Sequence, residues 1–396
     1  MSDPDALARL RAMILADEAI ADRLAPIEDR DAFASAAAEA ARGGGIAMTA
    51  DAILAAGRRD PLGIDRFAET PVTMMEWPGR NWLPAAIVQA PGQLAVDWVH
   101  FGDTPLSDSF FETSLGRARR LPINSLLRVC TPLAMLAATR PPDAYSSPDG
   151  LIFHMSRCGS TLVSRMLAAI PGVVAVSEAP SLDAAVQLVH SHPDAPLEQR
   201  LALLRGMAAT LGRDRFGNRR HHVIKTDSWH SLALPLFRAA FPDTPWLFLF
   251  REPTEVMVSQ MRARGLQTVV GTHLDSVFAI PDPLSLSTED YIARVLNRIT
   301  QAAVDYAEVG GGLFVDYADL PDAVERRILP HFGIAPDAEA LATMHAAATW
   351  DAKSPNFAFE PDAEAKRRNA CEAVRAAVAI HLDEPHRQLK ALAQYA

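Results

Sequence analysis

The chain has 396 residues, 49% of them apolar, and a formal net charge of −10. That length allows two or three domains with sizeable cores. The acidic balance excludes a general attraction to nucleic acid or anionic membrane, so an anion would have to bind in a local basic pocket.

In chain order, residues 1 to 57 carry Ala and Leu at helical spacing among charges, as in DALARLRAMILADEAIADRL and DAFASAAAEAARG, with Gly43 to Gly45 ending the second segment. Acids run throughout this stretch and it lacks a signal-like apolar core, and the apolar runs elsewhere are too short to span a bilayer, so a cytoplasmic protein is expected. From Pro61 to Asp103 the texture turns to Trp, Val and Pro, and LAVDWVHF (Leu94 to Phe101) alternates like a strand. Residues 106 to 137 read as helical again, opening on a Ser107 or Asp108 cap and closing on Arg117, Arg119 and Arg120, whose plain role is charge pairing at a helix end. The Pro-, Ser- and Gly-rich stretch Thr139 to Gly150 is the best linker. The expected division is therefore a mostly helical accessory region over 1–140 with a small mixed part, a linker over 141–149, and a second domain over 150–396.

Beyond the linker, short apolar runs recur between helical segments: LIFHM at 151, VVAVS at 173, HVIKT at 222, WLFLF at 246 and LFVDY at 313. Buried strands alternating with helices predict an α/β fold, a parallel sheet covered by helices. Ligands bind such sheets at the carboxyl ends of the strands, where Glu178, Lys225, Arg251 and Tyr317 fall.

The stretch LIFHMSRCGSTLVSRML, residues 151 to 167, predicts a strand, a turn and a helix from Ser160. Unpaired N–H groups at that helix start favour a phosphate, Gly159 lets the backbone close around it, and the Ser160 and Thr161 hydroxyls add donors. A Walker A loop would read GxxxxGK[ST]. Here Ser160 stands in the lysine slot and His154 in the first glycine slot, which disfavours ATP or GTP and leaves Arg157 as the cation. Cys158 reads as a small residue filling the turn, with a redox-sensitive thiol as the other reading. The three cysteines, Cys130, Cys158 and Cys371, have neither metal-ligand nor disulfide spacing, and with no acidic cluster beside the loop no metal is expected.

With FLFREPTEVMVSQ, VIKTDSW, VAVSEAPSLD and LFVDYADL added, the chain resembles the sulfotransferase superfamily, which uses 3′-phosphoadenosine 5′-phosphosulfate (PAPS) as sulfuryl donor. SRCGST resembles the family's 5′-phosphosulfate loop, with Arg157 in the basic position as in the protein-tyrosine and some bacterial branches. Arg251 and Ser259 match the 3′-phosphate motif R-D-P-x-x-x-x-x-S, with Glu252 in place of the usual acid. Lys225 matches the lysine beside the transferring sulfonate, and Tyr317 a tyrosine near the nucleotide. Glu178 stands where the protein-tyrosine branch has its base, and Asp227 stands in the slot of the cytosolic branch's catalytic histidine, so both remain candidate bases.

The resemblance implies PAPS as co-substrate, with Arg157, Cys158, Gly159, Ser160, Thr161, Arg251, Ser259 and Tyr317 around it; beyond it, a C-terminal basic segment with Lys353, Lys366, Arg367 and Arg368 reads either as a cover on the donor that adds Lys353 to the set or as a solvated helix start. It implies catalysis by Glu178 or Asp227 with Lys225 and Arg157, on a small-molecule or peptide hydroxyl or amine. It covers residues 150 to 333 and leaves the first 140 unexplained; their apolar helices could select the acceptor or form a homodimer contact. A P-loop small-molecule kinase and a non-catalytic nucleotide-binding module are the competing readings.

Overall fold

A computed structural model describes residues 4–57, 71–141, 147–349 and 363–395. Two compact units share the chain: residues 1–146 with 179–218, and residues 147–178 with 219–396. Among the described residues no helix is long and apolar enough to cross a membrane.

The first unit opens with helices Pro4–Ala16, Glu18–Leu24, Arg30–Gly43 and Ala50–Ala56. The side chains of Asp17, Asp29 and Thr49 accept from the first free N–H groups of the last three, which is why those helices begin where they do. A mixed sheet follows, made of β1 (Val72–Thr73), β2 (Trp82–Ala90), β3 (Gln93–His100) and β4 (Val129–Pro132) in the order β1-β4-β3-β2. The alternating run expected near Leu94 is β3.

The helical reading of 106 to 137 needs two corrections. Helices Phe111–Ala118, Pro122–Leu126 and Ala134–Ala138 form, but Val129–Pro132 between them is a buried strand paired antiparallel with β3. Four residues are too few to show a period, and the buried pairing with β3 decides the conformation. Neither Ser107 nor Asp108 caps the first of these helices; its cap position is Phe110, and Asp108 instead accepts from Ser114 Oγ at 2.6 Å and Arg117 at 2.5 Å. Helices Pro180–Ser191 and Leu197–Leu211 complete the unit, packing on β2 and on Ala134–Ala138. At Gly206 the backbones come so close that an added Cβ would lie 2.0 Å from the Leu136 carbonyl oxygen.

The second unit is built on β5 (Gly150–His154), β6 (Val173–Ser177), β7 (His221–Lys225), β8 (Trp246–Phe250) and β9 (Gly312–Asp316). All neighbours pair in parallel, in the order β6-β7-β5-β8-β9. These are the five apolar runs of the sequence; β5 and β8 are buried along their whole length, as strands covered on both faces must be. The chain leaves β5 toward β6 and β7 and then crosses to β8 and β9 on the other side. The carboxyl end of β5 is thus a topological switch point, where open α/β sheets place their ligands.

Candidate functional site

The loop between β5 and helix Ser160–Ala168 turns through left-handed conformations at Ser156 (φ 70°), Arg157 (φ 53°) and Gly159 (φ 86°). Such conformations cost non-glycine residues about 1 kcal/mol or more each, so the surroundings must hold them. The Ser156 N–H donates to His154 Nδ1 at 3.1 Å, and Ser156 Oγ accepts from Gln260 Nε2 at 3.1 Å and Gln267 Nε2 at 3.0 Å. The Gly265 N–H donates to Gln260 Oε1 at 2.9 Å, which fixes that amide with its NH2 toward Ser156. Arg157 donates to the Ala263 carbonyl oxygen at 2.5 Å, where helix Pro253–Arg262 ends.

Gly159 is the cap residue of Ser160–Ala168 and, having no side chain, makes no side-chain cap hydrogen bond. The first N–H groups of the helix and its dipole point at the loop, an arrangement that suits an anion. A Cβ on Gly159 would lie 2.7 Å from the Tyr317 ring and 2.9 Å from Leu320 Cδ1, so only glycine lets the loop close there. Ser160, Thr161 and Cys158 are buried. Burial first, only partly offset by hydrogen bonds and nearby cations, raises the Cys158 thiol to about 11, which disfavours the reactive thiolate.

On the β7 side, Lys225 ends its strand in register with Ser177 of β6 and Ile152 of β5. The Glu178 N–H extends the ladder to the Lys225 carbonyl oxygen at 2.9 Å, and its φ of 49° turns the side chain back. The Lys225 ammonium donates to Glu178 Oε1; the lysine side chain is 1% exposed and the glutamate 24%. Burial alone would raise the Glu178 carboxyl, but the Lys225 charge and the His154 hydrogen bond overcome it and hold the group well below the usual carboxylate range. Asp227 is engaged elsewhere, capping the turn Ser228–Ala233 in a reciprocal box with His230, whose Nδ1 accepts the Asp227 N–H at 3.2 Å.

On the β8 side, Arg251 is buried, with its guanidinium 3.9 Å from the Tyr317 ring centroid. Its Nε donates to Glu255 Oε2 at 2.6 Å, and Glu255 Oε1 accepts from Arg367 at 2.8 Å. Glu252 is a helix cap, accepting from the Thr254 and Glu255 N–H groups, so an acid is well suited to its position. Ser259 lies one turn beyond Glu255 and donates to the Glu255 carbonyl oxygen at 2.8 Å. Glu255 and Ser259 thus lie one turn apart on helix Pro253–Arg262, and Arg251 reaches Glu255 from just before its start. Lys353 lies outside the described residues, whereas Lys366 is buried and Arg368 exposed.

His154, Glu255, Gln260 and Gln267 were not singled out from sequence. Glu255 could have been, since it stands four residues from both Arg251 and Ser259; the others leave no spacing signal.

No protein-family model and no curated protein matches the chain. Among solved structures it is similar to the sulfotransferase domain from the curacin biosynthetic pathway, at 16% identity over 61% of this chain and 98% of that one, with a TM-score of 0.35. It is also similar to sulfotransferase STF9 from Mycobacterium avium, at 15% identity over 69% and 83% with a TM-score of 0.41. A third is the sulfotransferase domain from the Synechococcus PCC 7002 olefin synthase, at 18% identity over 62% and 98% with a TM-score of 0.37. At identities and TM-scores this low the likenesses carry no argument about activity, and the fold rests on the strand order itself.

Proposed function

We propose that the protein is a sulfotransferase that moves a sulfuryl group from 3′-phosphoadenosine 5′-phosphosulfate to an acceptor hydroxyl or amine. One observation carries the reading: a helix start with glycine at its cap, behind a loop without a Walker lysine, lies at the end of β5, with the Lys225–Glu178 pair at the ends of β7 and β6 on one side of it. The donor set suits such a co-substrate. The loop N–H groups with Arg157 would take the 5′-phosphosulfate, and Arg251, braced on Tyr317 and Glu255, would take the 3′-phosphate with Ser259.

In transfer, Glu178 takes the proton of the acceptor, whose oxygen or nitrogen forms the new bond to sulfur. The bond from sulfur to the bridging phosphate oxygen breaks, and its electron pair stays on that oxygen as 3′,5′-ADP departs. Lys225 neutralises the charge that develops there. While paired with Lys225, Glu178 is a weak base. As Lys225 turns to the leaving oxygen it releases Glu178, so base strength rises when the proton must move. Asp227, engaged as a helix cap, is the less suitable base. Positioning and anion stabilisation carry most of the effect, by analogy with phosphoryl transfer.

The test is transfer of radiolabelled sulfonate from the donor to cell-extract acceptors, with calorimetric binding of 3′,5′-ADP against ATP–Mg²⁺. Labelled product and tighter 3′,5′-ADP binding are expected; tighter ATP binding that needs magnesium would overturn the proposal in favour of a kinase. Arg251→Ala should weaken 3′,5′-ADP far more than 5′-AMP, and equal losses would remove Arg251 from the 3′-phosphate.

A further inference from the structure

His154 closes β5 and is 4% exposed. Its ring touches both halves of the site. Nδ1 accepts the Ser156 N–H at 3.1 Å, while Nε2 lies 3.0 Å from the Thr226 carbonyl oxygen and 3.4 Å from Glu178 Oε1. A backbone N–H can only donate and a carbonyl oxygen only accept. Both contacts are met together by one form alone, the neutral imidazole with its proton on Nε2.

We infer that His154 is a positioning residue: held as the Nε2–H tautomer, it pins the left-handed turn at Ser156 and sets its one N–H, bonded to the Thr226 carbonyl, within 3.4 Å of Glu178 Oε1 as a shared donor, so that anion loop and base share one ring. The inference rests on the reading of Glu178 as the base. Among the described residues, the charged groups acting on the ring are Glu178 and Lys225. Burial first, with Lys225, lowers the imidazole pKa against the opposing pull of Glu178, which keeps the ring neutral. A proton taken up by Glu178 cannot pass to Nδ1 without breaking the Ser156 bond, so it leaves through the part of Glu178 that meets solvent.

Two substitutions separate the roles. In His154→Asn the amide oxygen replaces Nδ1 and keeps the Ser156 bond, but the side chain is too short to serve Glu178. In His154→Gln the amide NH2 replaces Nε2 and the acceptor for Ser156 is lost. The Asn variant is expected to bind 3′,5′-ADP within about twofold of the parent yet lose about ten- to a hundredfold in kcat, since a hydrogen bond to a charged group is removed. Its acidic kcat/KM limb should move to higher pH, because Glu178 without its donor holds a proton more tightly. The Gln variant should keep the limb and bind 3′,5′-ADP about tenfold more weakly. If both variants change affinity and pH limb alike, His154 is only a structural filler.

The ¹⁵N spectrum of the unmodified protein, with His154 assigned through its contact with the Ser156 amide, supplies a readout independent of turnover and of variant folding. It should show a protonated Nε2 and a bare Nδ1 unchanged from about pH 6 to 8, where a free imidazole titrates. An Nδ1–H or doubly protonated ring would overturn the inference. Absent sulfonate transfer with the expected tautomer would instead remove the proposed activity and leave the ring's role in the loop.

Discussion

Lys225 and Glu178 form an ion pair in which the two partners are unequally placed: the ammonium is 1% exposed and the carboxylate 24%. Removing either charge therefore has different consequences. Glu178→Gln leaves a buried cation without that carboxylate and should cost about 3–5 kcal/mol of unfolding free energy. Lys225→Met leaves a carboxylate that water can reach and should cost about 1–2 kcal/mol. Urea denaturation of both variants checks the order, and equal losses would mean that Lys225 reaches water or another anion on its own.

Gly159 combines a positive φ with ring contact. Gly159→Ala should lose about 1–2 kcal/mol from the left-handed backbone and about 1–3 kcal/mol more from crowding against Tyr317 and Leu320. Adding Tyr317→Ala should recover the crowding part but not the backbone part. Chemical denaturation of the single and double variants separates the two contributions, and an unchanged midpoint for Gly159→Ala would show that the loop opens at no cost.

His222 on β7 is buried, and its Nε2 has no hydrogen-bond partner among the described residues. Burial first, then Arg219, holds its imidazole well below the ordinary value. The unfolded chain takes up a proton below about pH 6.5 that the folded chain refuses, so this residue's share of stability is present above that pH and is lost as pH falls toward the depressed folded value. His222→Leu should flatten the fall in stability between about pH 6 and 5 by up to about 1.4 kcal/mol per pH unit, one proton's worth. Thermal melts across that range are the measurement; an unaltered slope would show that His222 ionises in the folded state.

Of the three cysteines, Cys371 is exposed while Cys130 and Cys158 are buried. Native protein treated with an uncharged alkylating agent should therefore be modified at Cys371 alone, with the other two reacting only after denaturation. Mass spectrometry of the labelled peptides decides it, and rapid modification of Cys158 would contradict its placement inside the turn.

The sheet of the second unit was legible because parallel strands covered on both faces are short apolar runs, and WLFLF or LIFHM can hardly be anything else. The glycine loop was legible because its glycine, hydroxyls and one cation are adjacent in sequence and line one turn. What stayed hidden depends on tertiary partners. Val129–Pro132 becomes a strand because β3 lies beside it. His154 meets Thr226 and Glu178 only because the segments that follow β7 and β6 end close to it. The capping box that Asp227 shares with His230 was equally hidden, since a motif position names the residue and not its hydrogen bonds. Helices Pro180–Ser191 and Leu197–Leu211 likewise pack on β2 and Ala134–Ala138, partners distant in sequence that no local pattern names.

That last arrangement governs how the protein can be dissected. The chain quits the second unit after Glu178 and rejoins it at Arg219, so each unit is interrupted by the other. No single cut yields an intact half. A fragment beginning near residue 147 would carry helices Pro180–Ser191 and Leu197–Leu211 stripped of the apolar surfaces they cover, and would be prone to aggregate. The complementary fragment ending near 146 would expose β2 where those helices belong. During synthesis, β6 must likewise wait for some forty further residues before β7 emerges to pair with it.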